Sequence, residues 1–96
     1  MRVEFHPEAL AELEAAALHY DSIRPGLGAR FMDWVEEASQ RIVESPRMWR
    51  LIDDDVRRCL THVFPYGVLY VIAQEFILIL AISHLARNPG YWKSRR

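Results

Sequence analysis

The apolar positions of the chain change period twice, and those changes divide it into elements. Residues 2–6, Arg-Val-Glu-Phe-His, alternate with Val3 and Phe5 on one face, which is the period of a short strand. From Pro7 the period lengthens. Leu10, Leu13, Ala17 and Tyr20 recur at helical spacing, and Glu8, Glu12 and Glu14 fall mainly off that stripe. Pro7 suits the first position of a helix and Glu8 its first turn. The helix is predicted to end near residues 22–24, before the break at Pro25-Gly26-Leu27-Gly28. A second amphipathic stretch follows, with Leu27, Phe31, Trp34, Val35, Ala38 and Ile42 on one face. Asp33, Glu36, Glu37, Arg41 and Glu44 fill the other. Ser45-Pro46 stops it, because a residue before proline is pushed out of the helical region.

Residues 47–55 read as a loop anchored by Trp49, with Asp53-Asp54-Asp55 as a solvated turn. Three strands are predicted after it, over residues 56–64, 68–73 and 76–83, with turns at Pro65-Tyr66-Gly67 and Gln74-Glu75. In the first of these, Val56, Arg58, Leu60 and His62 share one face and Arg57, Cys59, Thr61 and Val63 the other. Arg57 and Arg58 therefore point to opposite sides of the sheet. Tyr66 and Tyr70 share a side. The run from Phe76 to Ser83 is apolar on both faces, so it belongs inside the sheet with both faces covered. Its free side needs a partner, and the N-terminal strand is the candidate. The order β-α-α-β-β-β predicts an α+β fold, a helical hairpin packed on a twisted, largely antiparallel four-stranded sheet. No repeat or linker divides residues 1–96, which read as one domain. Residues 84–96 form a basic, aromatic tail.

Composition narrows the picture. Hydrophobic residues make up 51% and charged residues 26%, the balance of a folded globular domain and not of a disordered segment. The longest apolar run, Phe76 to Ile82, is far below the roughly 20 residues of a spanning helix, so no membrane role is expected. The start of the chain has no apolar signal core, and the single cysteine, Cys59, fits a reducing cytoplasm. Net charge is −1, but it is unevenly spread. Residues 1–46 carry four basic residues against nine acids, and residues 47–96 carry eight against four, which points the second half at an anionic partner. All the basic residues except Lys93 are arginine, the residue suited to fork-shaped contacts with phosphate or carboxylate. His6, His19 and His62 share no metal-ligand spacing, and no cofactor is implied.

Several fragments in this order resemble one family. They are Phe5-His6-Pro7-Glu8-Ala9, Pro25-Gly26-Leu27-Gly28, Ser45-Pro46, Arg57-Arg58, Phe64-Pro65-Tyr66-Gly67-Val68-Leu69-Tyr70, His84-Leu85-Ala86-Arg87 and Pro89-Gly90-Tyr91-Trp92. Together they resemble the RelE/ParE superfamily of small bacterial toxins from type II toxin–antitoxin systems, the plasmid stabilisation proteins. The resemblance implies the element order already read from the pattern. It also implies a cognate antitoxin as partner, with a toxin dimer or a toxin–antitoxin hetero-oligomer as the assembly. RelE-like members cleave messenger RNA on the ribosome without a metal. ParE-like members do not cleave RNA; they inhibit DNA gyrase, and the trapped cleavage complex damages DNA.

Metal-free RNA cleavage needs an activated 2′-hydroxyl, a stabilised phosphorane charge and a protonated leaving oxygen. Under the RelE-like reading, Arg58, His84, Arg87 and Tyr91 are the catalytic candidates. The chain departs from that pattern: Gly67 stands after Tyr66 where the nucleases carry a basic residue, and the preceding strand has no lysine. The His84-x-x-Arg87 pattern is closer to ParE members. A net charge of −1 is also low for a protein that must enter ribosomal RNA. The preferred reading is a gyrase inhibitor whose target-binding residues are Arg57, Arg58, Arg87, Tyr91, Trp92, Lys93, Arg95 and Arg96. The alternative is a ribosome-dependent endoribonuclease. A degenerate toxin retained as an antitoxin partner is a third. The acidic outer face of the helices, including Glu8, Glu12 and Glu36, reads as solvated or as a dock for a basic antitoxin.

Overall fold

The computed structural model describes residues 1–96. Strand β1 (Arg2–Phe5) leads into helix α1 (Pro7–Ile23). His6 caps that helix: its Nδ1 accepts the Glu8 backbone N–H at 3.1 Å, and Pro7 and Glu8 occupy the first turn. After Gly26, in the left-handed region at φ +88°, helix α2 (Leu27–Glu44) begins and runs back along α1. Four strands follow, β2 (Arg50–Asp53), β3 (Val56–Leu60), β4 (Tyr66–Ile72) and β5 (Phe76–His84). They form one sheet in the order β1-β5-β4-β3-β2. Only the β1–β5 pair is parallel.

The sheet has five strands, one more than the sequence predicts. The additional strand is β2, in the stretch read as loop. It lies at the sheet edge with three of its four residues exposed, so it carries no apolar alternation for a pattern to detect. What holds it is backbone pairing with β3, with Arg50 opposite Arg58 and Leu51 opposite Arg57. Two other boundaries move. Strand β3 ends at Leu60 because Thr61 Oγ1 donates to the Phe64 carbonyl and Val63 sits at φ +73°, a conformation that closes a turn. Strand β4 therefore begins at Tyr66, two residues earlier than expected.

Two cores flank the sheet. On the helix side, Phe31, Val35, Ala38 and Ile42 of α2 pack on Val68, Tyr70, Ile77 and Ile79. The α1 stripe is rotated from the expected one: Ala9, Leu13, Ala16 and Ala17 are buried and Leu10 is 45% exposed. Small residues face the contact because α1 is wedged close to both α2 and the sheet. A Cβ on Gly28 of α2 would sit 2.3 Å from the Ala17 carbonyl oxygen. On the opposite side, Val56, Leu69, Val71, Leu80 and Ala81 are covered by Trp92 of the tail. Strand β5 thus lies inside the sheet, paired on both edges and covered on both faces.

Strand β5 also carries a bulge. Ile79 pairs with Tyr70 and Ala81 with Leu69, leaving Leu80 as the extra residue. Beyond Ile79, β1 has ended and the β5 backbone on that edge has no strand beside it. Side chains take over the ladder. Ile82 N–H donates to Glu12 Oε1 at 3.1 Å, and the Leu80 carbonyl accepts from Arg95 Nη1 at 2.9 Å.

Burial pushes the phenols of Tyr20, Tyr66, Tyr70 and Tyr91 up, Tyr70 to about 12. Tyr70 donates its hydroxyl to the Pro46 carbonyl at 2.6 Å. The folded chain retains protons that the unfolded chain releases near pH 10. Stability is therefore intact below that pH and falls as pH rises toward about 12. An ultraviolet titration of phenolate is expected to show no ionisation of Tyr70 until the fold is lost.

Candidate functional site

The tail makes the site. After β5 the chain turns sharply: Ala86 N–H donates to His84 Nδ1 at 3.0 Å, and Leu85 N–H donates to the Pro65 carbonyl. It then runs back over the sheet face opposite the helices. Gly90, at φ +81°, lets it bend so that Trp92 enters the second core. A short 3-10 turn, Lys93–Arg95, ends the docking.

Three ion-pair groups pin this segment. Arg95, with its side chain 8% exposed, donates to Glu12 Oε1 at 2.8 Å and to Oε2 at 3.0 Å. Arg87 reaches the same carboxylate at 3.2 Å, and its guanidinium lies 3.7 Å over the Tyr91 ring. The Glu12 hydrogen bond is the main cause that raises the Arg95 pKa above its ordinary value. At the other end of the tail, Lys93 approaches Asp53 at 3.4 Å and Arg96 grips Asp55 with two nitrogens. Those Arg96 hydrogen bonds hold the Asp55 carboxyl below the usual carboxylate range.

The sequence-predicted site residues separate accordingly. Arg58, His84, Arg87 and Lys93 come together around a cavity of about 300 Å³, with Asn88 and Trp92 in its wall. The stem of Arg58 crosses Gly67: a Cβ there would lie 2.9 Å from both Cγ and Cδ of the arginine. Gly67 thus makes room for a cation delivered from the neighbouring strand. Arg57 is on the helix side, donating to the carbonyls of Arg47 and Trp49 at 2.9 and 2.8 Å, and so fastens the approach to β2. Arg95 and Trp92 are buried in the scaffold, and Arg96 sits at the rim on Asp55. Tyr91 has its hydroxyl buried without a hydrogen-bond partner, and burial raises its pKa.

Two residues at the site were not read from sequence. Glu12, which the sequence places on a face either solvated or docking a basic antitoxin, has its side chain only 13% exposed because the tail folds over it. Its partner Arg95 is 83 residues away, and nothing local marks the pair. Arg50 falls in the stretch that the pattern predicts as loop, and the structure pairs it with Arg58 in the sheet.

A second concavity lies on the other side of the molecule, between α2 and the free edge of β1. It is an open apolar groove of about 770 Å³. Val3, Phe5, Leu13, Met32, Val35 and Val43 form its floor, and Asp33, Glu36 and Glu44 its rim.

This arrangement matches known proteins. The family described as ParE toxin of type II toxin-antitoxin system, parDE, matches residues 3–89. The chain belongs to the ParE toxin family. The ParE-type fold is also found in a solved structure, the chromosomal ParDE toxin–antitoxin system from P. aeruginosa. The two share 18% identity at a TM-score of 0.78, covering 88% of this chain and 96% of that one. No curated protein matches the chain. No helix of this ParE-type toxin is long and apolar enough to cross a membrane.

Proposed function

We propose that this ParE-type toxin acts in the cytoplasm by binding DNA gyrase, with no chemistry of its own, and is silenced by its cognate antitoxin. One observation carries the choice against RNA cleavage: two of the four groups that would perform it, Tyr91 and Arg87, are already engaged. The Tyr91 hydroxyl is buried, and Arg87 is paired to Glu12 and stacked on Tyr91. A general acid or base must reach the proton it transfers. Family membership supports gyrase as the target.

A binder loses contacts gradually. In a supercoiling assay with purified gyrase, His84→Ala is expected to raise the half-inhibitory concentration only a few-fold. A nuclease deprived of an acid–base group loses roughly 10²-fold or more in rate. Complete loss of toxicity in folded His84→Ala, with wild-type protein cleaving messenger on the ribosome, would overturn the reading.

The antitoxin docks, in this proposal, in the groove between α2 and β1. The apolar floor takes the apolar face of an amphipathic segment, and the rim of Asp33, Glu36 and Glu44 selects lysine or arginine on its flanks. Met32, 43% exposed, lines that floor. Met32→Glu is expected to weaken antitoxin binding roughly tenfold or more, by placing a charge where apolar surface is buried. Gyrase inhibition by the free toxin should be unchanged. Equal antitoxin affinity by calorimetry would exclude the groove.

A further inference from the structure

The loop between β3 and β4 holds a strained residue out in the open. Phe64 N–H donates to the His62 carbonyl at 2.8 Å, with Val63 between them at φ +73°. This is the positive-φ γ-turn, the rarer and more strained of the two forms. A β-branched residue is an outlier there, where glycine would sit at no steric cost. Burial does not compensate, because Val63 is 72% exposed. The surroundings hold it in place instead. The hydroxyl of buried Thr61 lies 2.9 Å from the Phe64 carbonyl and 3.2 Å from that of Tyr66. Phe64 is buried edge-on against Tyr20 and Phe31. The Pro65 carbonyl accepts Leu85 N–H at 3.0 Å, which ties the loop to the end of β5.

Val63 has exposed apolar neighbours. Leu60 ends β3 and is 45% exposed, Leu85 follows β5 and is 50% exposed, and Pro65 is exposed between them. Residues 59–66 contain no Asp, Glu, Lys or Arg. Charge returns only at the margin: Arg58 shares a sheet face with Leu60, and Arg87 lies two residues beyond Leu85. From this juxtaposition we infer that Val63 and the apolar end of the sheet around it anchor the toxin on a protein surface of gyrase, a placement that rests on gyrase being the target. An uncharged tip offers nothing to a phosphate backbone, which is held by lysine and arginine. It fits an apolar recess on a protein, with arginines at the rim, since charge is depleted at the centre of protein interfaces. A tip already held rigid loses little freedom on binding. Strain kept in place by its surroundings is characteristic of such contact sites.

Supercoiling by purified gyrase, with full-length toxin as inhibitor, tests it. Val63→Gly is expected to raise the half-inhibitory concentration roughly tenfold, the loss of one apolar side chain from a contact. Val63→Asp should cost more, by placing a charge there. Met48→Ser, which changes an equally open apolar residue just before β2, should leave inhibition unchanged. Thermal unfolding of Val63→Gly should match or exceed that of wild type, because glycine takes φ +73° without strain. Lower stability together with lost inhibition would mark a structural residue and overturn the anchor. Equal inhibition by wild type, Val63→Gly and Val63→Asp would overturn it too, while leaving gyrase as the target. Wild-type toxin without effect on supercoiling would overturn both. Antitoxin affinity, read by calorimetry, should be the same for Val63→Gly as for wild type. Its loss would give the tip to the antitoxin and contradict the assignment.

Discussion

Glu12→Ala is expected to destabilise the toxin by about 3–5 kcal/mol, the range for removing one partner of a buried ion pair. The carboxylate does three things at once. It neutralises Arg95, buried at the end of the tail, through both terminal guanidinium nitrogens. It accepts the Ile82 N–H that β1 is too short to reach. It also holds Arg87 over Tyr91. Alanine leaves buried Arg95 with only the exposed Glu8 carboxylate as counter-charge and Ile82 N–H without a partner. For a domain of this size the change corresponds to a fall in Tm of roughly 10 °C or more. Glu8 contacts Arg95 at 3.3 Å but is largely exposed, so Glu8→Ala is expected to change stability by less than about 1 kcal/mol. Replacing both members, as Glu12→Leu with Arg95→Met, should recover much of the loss, since the buried charge goes with its partner. Urea unfolding of the three variants beside wild type measures these differences. Equal effects of Glu8→Ala and Glu12→Ala would contradict the assigned clamp.

Gly28→Ala is expected to destabilise by about 3 kcal/mol, at the upper end of what an extra methyl costs in a packed interior. The sign is diagnostic. In an exposed helix interior, glycine to alanine stabilises by up to about 1 kcal/mol. Here the new Cβ meets the Ala17 carbonyl oxygen at 2.3 Å and the Asp21 carboxyl at 2.9 Å. The first neighbour is helix backbone and has nowhere to go. The clash also pulls Gly28 N–H off Asp21 Oδ1, which accepts it at 2.8 Å. Gly26→Ala meets open space and is strained only by φ +88°, so its cost is nearer 1–2 kcal/mol. A stabilised Gly28→Ala protein would show that the helices do not approach this closely.

The fold was largely legible wherever a local pattern reports burial. The α2 face from Phe31 to Ile42 emerges as read, and the two-sided apolarity of residues 76–83 correctly places β5 between two strands. Patterns failed where burial depends on distant chain. Strand β2 is held by backbone pairing at an edge and has no apolar face to betray it. The α1 stripe shifted from Leu10 to Ala9 and Ala16 because helix approach, not hydrophobicity, selects the small side. The same limit governs the site. Arg58, His84, Arg87 and Lys93 were named and do line one cavity. Arg57, Arg95 and Trp92, expected among the target contacts, are also engaged in the scaffold, Trp92 while lining the same cavity. Basic character alone does not separate a free guanidinium from one that a remote Glu12 or a main-chain carbonyl has captured.

The central functional claim is best tested by a paired assay on one preparation of antitoxin-free toxin. One arm follows supercoiling of relaxed plasmid by gyrase, and the other the integrity of a messenger held on translating ribosomes. Lost supercoiling with intact messenger is the expected result, and it would make Arg58, Arg87 and His84 contact residues. Cleaved messenger with normal supercoiling would contradict it and make the same residues candidates for catalysis.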